Sequence, residues 1–247
     1  MKSWPLFKHA FLQVKGNMRE ALQISGLLWA VLMLLSLLIR PDFENPQMNF
    51  GLVVLVFLLI QLLVTAIIAV EWHRFILLGE YPKSYIPVWH GSRVLRYIWT
   101  SFLISLVIGL ASVAVAIPYA IIAMVSGTMG LPEMVFAGIS VVFIVALVIF
   151  LLSLGFRISL SLPSVALDRK ISFSEAWDKT REMGWMFVRL AVITSLFTVL
   201  VSLPAELFRW NDTLYLVIGY IANWISTMVG ISVLTTLYGV IIENRKI

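Results

Sequence analysis

Gln61, Thr65, Ala69 and His73 recur every four positions and so share one helix face. A polar stripe ending in an imidazole could line a cavity or carry a proton, because ionisable groups inside membranes usually serve function. His73 lies just past an apolar run, beside Glu71 and Arg74, and that position predicts an interfacial, hydrated side chain rather than a ligand or a catalyst. His9 and His90 lie too far from it in sequence for metal-ligand spacing such as i, i+4, and the chain has no cysteine. No metal, haem or other cofactor is expected. A second group, Arg157, Asp168, Arg169, Lys170 and Arg181 with Trp177 among them, offers guanidinium forks of the kind that hold phosphate at two points. It could bind an anionic lipid headgroup or a partner subunit, although a basic loop with internal ion pairs has the same composition.

Two small-residue faces complete the inventory. Ser101, Ser105, Gly109, Ser112 and Ala116 follow one another at helical steps, as do Gly219, Asn223, Thr227 and Gly230. Such faces let helices approach closely in lipid. They predict packing first and a solute route between them second. Asn223, deep in its apolar run, is expected to hydrogen-bond to another helix, with a substrate contact as the alternative. The sequence holds no phosphate loop, no HExxH and no GxSxG. Acidic residues fall at the ends of apolar runs or in connections, which counts against an ion-coupled transporter.

The elements that must position these residues are membrane spans. Of the 247 residues 61% are hydrophobic, and the mean hydropathy is +0.98. Six runs reach the ~20 residues needed to cross a bilayer: about 21–39, 50–70, 97–125, 134–156, 187–207 and 214–242. They are continuously apolar rather than alternating, so the expected fold is all-α: one polytopic bundle of six transmembrane helices, with Pro118 expected to kink the third. The long polar lead before the first run argues against a cleaved signal peptide.

Sixteen of the eighteen Lys and Arg residues fall on one side of this arrangement, leaving Arg40 and Arg209 on the other. By the positive-inside rule both termini are expected in the cytoplasm. A net charge of +5 then reflects loops facing anionic lipid, not nucleic acid. The two long connections on the basic side share a plan of basic residue, proline and aromatic return, consistent with an internal repeat. In the second, Ser172 and Glu175 fit a capping box that opens a short amphipathic helix. Ala176, Trp177, Thr180 and Met183 would face the membrane interface, and Gly184 would end the helix.

The run Phe156 to Pro204, with LSLPSVALDRK, Ala176-Trp177 and MGWMFVRL, resembles the membrane domain associated with bacterial glycerophosphoryl diester phosphodiesterases and related stand-alone six-helix inner-membrane proteins. The resemblance implies a helical membrane fold and an involvement with lipids. It carries over no catalytic residue, because those enzymes append a separate soluble barrel for which this chain has no room. The expectation is a non-enzymatic bacterial inner-membrane protein, a scaffold or accessory subunit that contacts lipids or a larger membrane complex. The alternative is a small transporter or channel for lipid-like or weakly polar solutes.

Overall fold

The structure, a computed structural model, describes residues 2–38, 50–128, 132–169 and 171–246. Among these residues the regular structure is helical and there is no strand: α1 (Ser3–Gly16), α2 (Met18–Leu38), α3 (Phe50–Leu78), α4 (Gly91–Thr128), α5 (Glu133–Ile158), α6 (Ser161–Ala166), α7 (Phe173–Thr180), α8 (Gly184–Glu206) and α9 (Asp212–Ile241). One 3₁₀ turn, Arg181–Met183, joins α7 to α8. Six helices are long and apolar enough to cross a membrane. Two of the connections between the expected spans, around residues 41–46 and 126–132, lie wholly or partly outside the described residues, as does Lys170.

The helices outrun the apolar segments that predict them. α3 continues eight residues past Val70, and its 29 residues rise about 43 Å against a hydrocarbon layer of about 30 Å. Its last turns carry Glu71, His73 and Arg74, all buried. The expected hydrated His73 is therefore replaced by one with 0% exposure. Protein, not water, surrounds the polar end of this helix.

Five helices close a ring, in which α3 packs on α4, α4 on α5, α5 on α8, α8 on α9 and α9 back on α3. α1 and α2 lie outside it. α1, in a region expected to be only a basic lead, is amphipathic. Its Leu6, Phe7, Ala10 and Val14 are buried against α8 and α9. The Ser3 hydroxyl donates to the Met186 carbonyl at 2.9 Å, and the Ser232 hydroxyl donates to Gln13 at 2.7 Å. Two indoles fasten α2 to α9: Trp29 donates to the Tyr220 carbonyl and Trp224 to the Ser25 hydroxyl. Both ends of the chain thus meet on one face, called here the terminal face.

The most buried part of the molecule is not a span. Residues 158–167 form an elbow in which only Val165 is more than slightly exposed, wedged among α3, α4 and α9. Leaving a helix inside a membrane protein exposes backbone carbonyls that cost several kcal/mol each if unpaired. Here they are met locally. Ser161 donates to the Ile158 carbonyl and Ser164 to the Ser161 carbonyl, at 2.8 and 2.6 Å. Pro163 sits in the first turn of α6, where an amide proton would have no partner. The helix ends in a Schellman turn, with the Arg169 amide on the Ser164 carbonyl at 2.8 Å and Asp168 in the left-handed region at φ 58°. Arg74 reaches across to donate to the Ala166 carbonyl at 2.9 Å while its other nitrogens grip Glu80.

Asp168 then latches the elbow to α4, taking Arg93 and Arg96 at 2.6 Å each. Arg169 pairs with Glu243 beyond α9. Apolar contact between helices gains little from water exclusion in lipid, so these polar links decide where the elbow sits. The first long connection, residues 79–90, has no helix where the second has two, so the expected repeat is not reflected in the local structure. Ser172 does cap α7, accepting from the Glu175 amide at 3.1 Å. Gly184, expected to stop that helix, instead begins α8 with helical torsions, because the 3₁₀ turn leads directly into it.

Two outcomes follow from the latch. Asp168→Gly keeps the left-handed turn and loses only the exposed ion pairs, so its stability should stay within about 1 kcal/mol of the parent. Asp168→Ala adds the left-handed penalty and should be less stable than the glycine variant by about 1 kcal/mol, measured by thermal unfolding in lipid. His90 is held below the usual histidine range by burial first and then by Arg74 and Arg93, the latter donating to its Nδ1 at 3.4 Å. A depressed value means the folded protein resists the proton. The His90 contribution is therefore intact above the ordinary value near 6.5 and lost as pH falls through the folded one. Hydrogen exchange of the residue 159–168 amides should accelerate, after correction for intrinsic rates, between about pH 7 and pH 5, and His90→Gln should flatten that rise.

Candidate functional site

The ring lines a chamber of about 640 Å³ that opens to the outside past the exposed Val148 and Leu152 of α5. Thr65 and Ala69 of α3 form one wall, and Ser101 and Ile108 of α4 the next. Gly155 and Phe156 of α5, Thr194 of α8, and Thr227 and Gly230 of α9 complete the circuit, with Ser159 and Leu162 of the elbow at one end. The lining is apolar apart from single hydroxyls. Glycine matters at two places for opposite reasons: a methyl at Gly155 would come within 3.3 Å of Ile108, whereas one at Gly230 would meet nothing within 4 Å. At Gly155 close approach of α4 and α5 needs the missing side chain; at Gly230 its absence enlarges the chamber.

Beside the elbow a buried polar chain crosses three helices. The Thr235 hydroxyl donates to the Ile231 carbonyl at 2.8 Å, so its oxygen is left to accept, and His73 Nδ1 at 2.8 Å must carry the proton that it accepts. Nε2 is then an acceptor, and the Tyr97 hydroxyl at 3.3 Å donates to it. The geometry fixes one neutral tautomer of His73. Tyr97 lines the chamber; Thr235 lines a second, smaller pocket on the terminal face.

The expected polar stripe is partly realised. Thr65 and Ala69 face the chamber, His73 ends the row in the polar chain, and Gln61 is half-buried further along α3. Asn223 differs from expectation, standing exposed on α9 rather than buried between helices. The small face of α4 also differs: Ser105, Gly109 and Ala116 are exposed, a methyl at Gly109 would meet nothing within 4 Å, and Ile104 and Ile108 take the inward position instead.

The basic group divides. Arg157 donates to the Thr180 hydroxyl at 3.1 Å, and its guanidinium lies 3.5 Å over the Trp177 ring, a cation–π contact. Arg169 turns the other way to Glu243, and Arg181 is exposed on the 3₁₀ turn. These residues do not converge on one anion. Sequence periodicity missed Tyr97 and Thr235, because each is the contribution of a separate helix and no single helix face displays the chain. Among the described residues no three His, Asp or Glu side chains converge as metal ligands would.

Fold and site together define a polytopic helical membrane protein with an apolar chamber among its long helices. Comparison with protein-family models, with curated proteins and with solved structures finds no match, so the site is read from its own geometry.

His73→Leu strands the Tyr97 hydroxyl without its acceptor and should cost about 1–3 kcal/mol. Adding Tyr97→Phe removes the stranded group and should recover part of that loss. Thermal unfolding of the two variants in lipid checks the order; a double variant less stable than His73→Leu would show that the chain is not a unit.

Proposed function

We propose that this is a non-enzymatic protein of a bacterial inner membrane that holds an apolar, lipid-like molecule in the chamber, serving as an accessory or scaffold component. The chamber carries the reading: its volume falls within the roughly 300–1,000 Å³ of ligand sites, and its wall offers apolar surface with a few hydroxyls to orient a guest. The lysine and arginine bias supports a cytoplasmic terminal face, where α7 with Trp177 and Arg157 would sit at headgroup depth.

A second reading, a transporter or channel for lipid-like or weakly polar solutes, draws on a different observation. The elbow beside the chamber is held by Arg74, Arg93 and Arg96 rather than by a continuous span, so its release would open the chamber toward the terminal face.

Gly230→Leu places its Cβ in open space at the chamber wall and should displace the guest. Native mass spectrometry of protein released from its own membrane should show a retained lipid on the parent and at least tenfold less on Gly230→Leu. Equal retention by the two would remove the chamber from consideration. Flux of that lipid across proteoliposomes, accelerated by Asp168→Ala, would favour the second reading.

A further inference from the structure

A pocket of about 210 Å³ opens between α1, the end of α3 and the last turns of α9. Its polar lining comes from His9 and Gln13 on α1, Thr235 and Thr236 on α9, and Arg245 and Lys246 beyond it. Thr235 is fully engaged by Ile231 and His73. Thr236 is not: it is 5% exposed, and its hydroxyl has no hydrogen-bond partner. A buried hydroxyl without a partner costs free energy, and this one borders the pocket, where a turn of its side chain would bring it to a bound oxygen.

The other groups define that acceptor. Gln13 receives the Ser232 hydroxyl on its side-chain oxygen, which leaves its amide protons to donate. Arg245 is steered into place by the Leu77 carbonyl at 2.7 Å and by Glu243 at 2.6 Å. Gly239 leaves room for this path, since a methyl there would meet the Arg245 side chain at 3.4 Å. Lys246 can only donate. No carboxylate lines the pocket, and Glu243 is occupied by Arg169 and Arg245. A wall of donors with two cations selects a small anion with several acceptor oxygens.

We propose that this pocket binds a phosphate group, borne either by a membrane lipid headgroup or by a soluble phosphate. The assignment is independent of what fills the chamber. It differs from the anion site expected at Arg157, Arg169 and Arg181, whose members are spent on other partners or stand apart.

The full-length protein in maltoside micelles, which carry no phosphate, provides the test. Inorganic phosphate is titrated by calorimetry against chloride of equal ionic strength, and phosphatidylglycerol is added to the micelles in a second series. The parent should bind one probe saturably. Thr236→Val, which replaces the hydroxyl with a methyl of the same shape, should weaken binding about tenfold without lowering the melting temperature. Lys246→Gln, at the exposed end of the chain, should also weaken it, and decides alone if Thr236→Val does not fold. Saturation by inorganic phosphate identifies a soluble ligand; a response to phosphatidylglycerol only identifies a headgroup. Failure of both probes to bind, or binding unchanged in the folded variants, overturns the assignment.

Discussion

The structure depends on satisfying the backbone of the elbow at residues 158–167. A chain that leaves helical geometry inside a membrane protein must find partners for its carbonyls within the protein, because hydrocarbon provides none. Ser161 and Ser164 answer two of them, the Schellman turn two more, and Arg74 the carbonyl of Ala166. Each solution fixes something else. The left-handed turn aims Asp168 at Arg93 and Arg96; Arg74, drawn to Ala166, holds the end of α3 and so the depth of His73. The elbow in turn keeps the five-helix ring from collapsing on itself at one end, and the chamber is the space that remains.

How much of this was legible in the sequence can be traced residue by residue. Continuous apolar runs mark α2, α3, α4, α5, α8 and α9, because crossing a bilayer imposes length and hydropathy directly on the chain. Hydropathy does not say which face of a span meets protein. Ser105 and Gly109 look like a packing face by composition, yet Ile104 and Ile108 point inward and the space a methyl at Gly109 would enter is open. α1 did carry a readable signal, in the spacing of Leu6, Phe7, Ala10 and Val14, but four basic residues in and beside it masked an apolar stripe of ordinary helical period. His73 was misread because the apolar run ends at Val70 while the helix does not. Its burial comes from the elbow and from α9, far away in sequence, and the polar chain it joins needs Tyr97 and Thr235 from two further helices.

Burial is distributed unevenly, and this matters for how the molecule meets its surroundings. The packed core occupies the terminal half: the end of α3, the start of α4, the elbow, the start of α8 and the end of α9. The most apolar stretches of α4 and α5 bury no residue. Farther along, α4 and α5 are held to each other by the Tyr119 hydroxyl on Ser140 at 2.5 Å and by the Tyr119–Phe143 stack at 3.8 Å. One half of the protein is thus a close-packed body fastened by polar links, and the other a set of helices whose surface lipid must cover.

The packing of α1 has a consequence for biogenesis. This helix is made before α8 and α9, yet its buried face rests on them. Arg245, two residues from the chain end, donates to the Leu77 carbonyl and pairs with Glu243, whose other partner is Arg169 beside the elbow. The apolar face of α1 must therefore wait for its partners while the ribosome completes the intervening spans. Arg245 and Glu243 therefore form a clasp that joins the end of α9 to α3 and to the elbow.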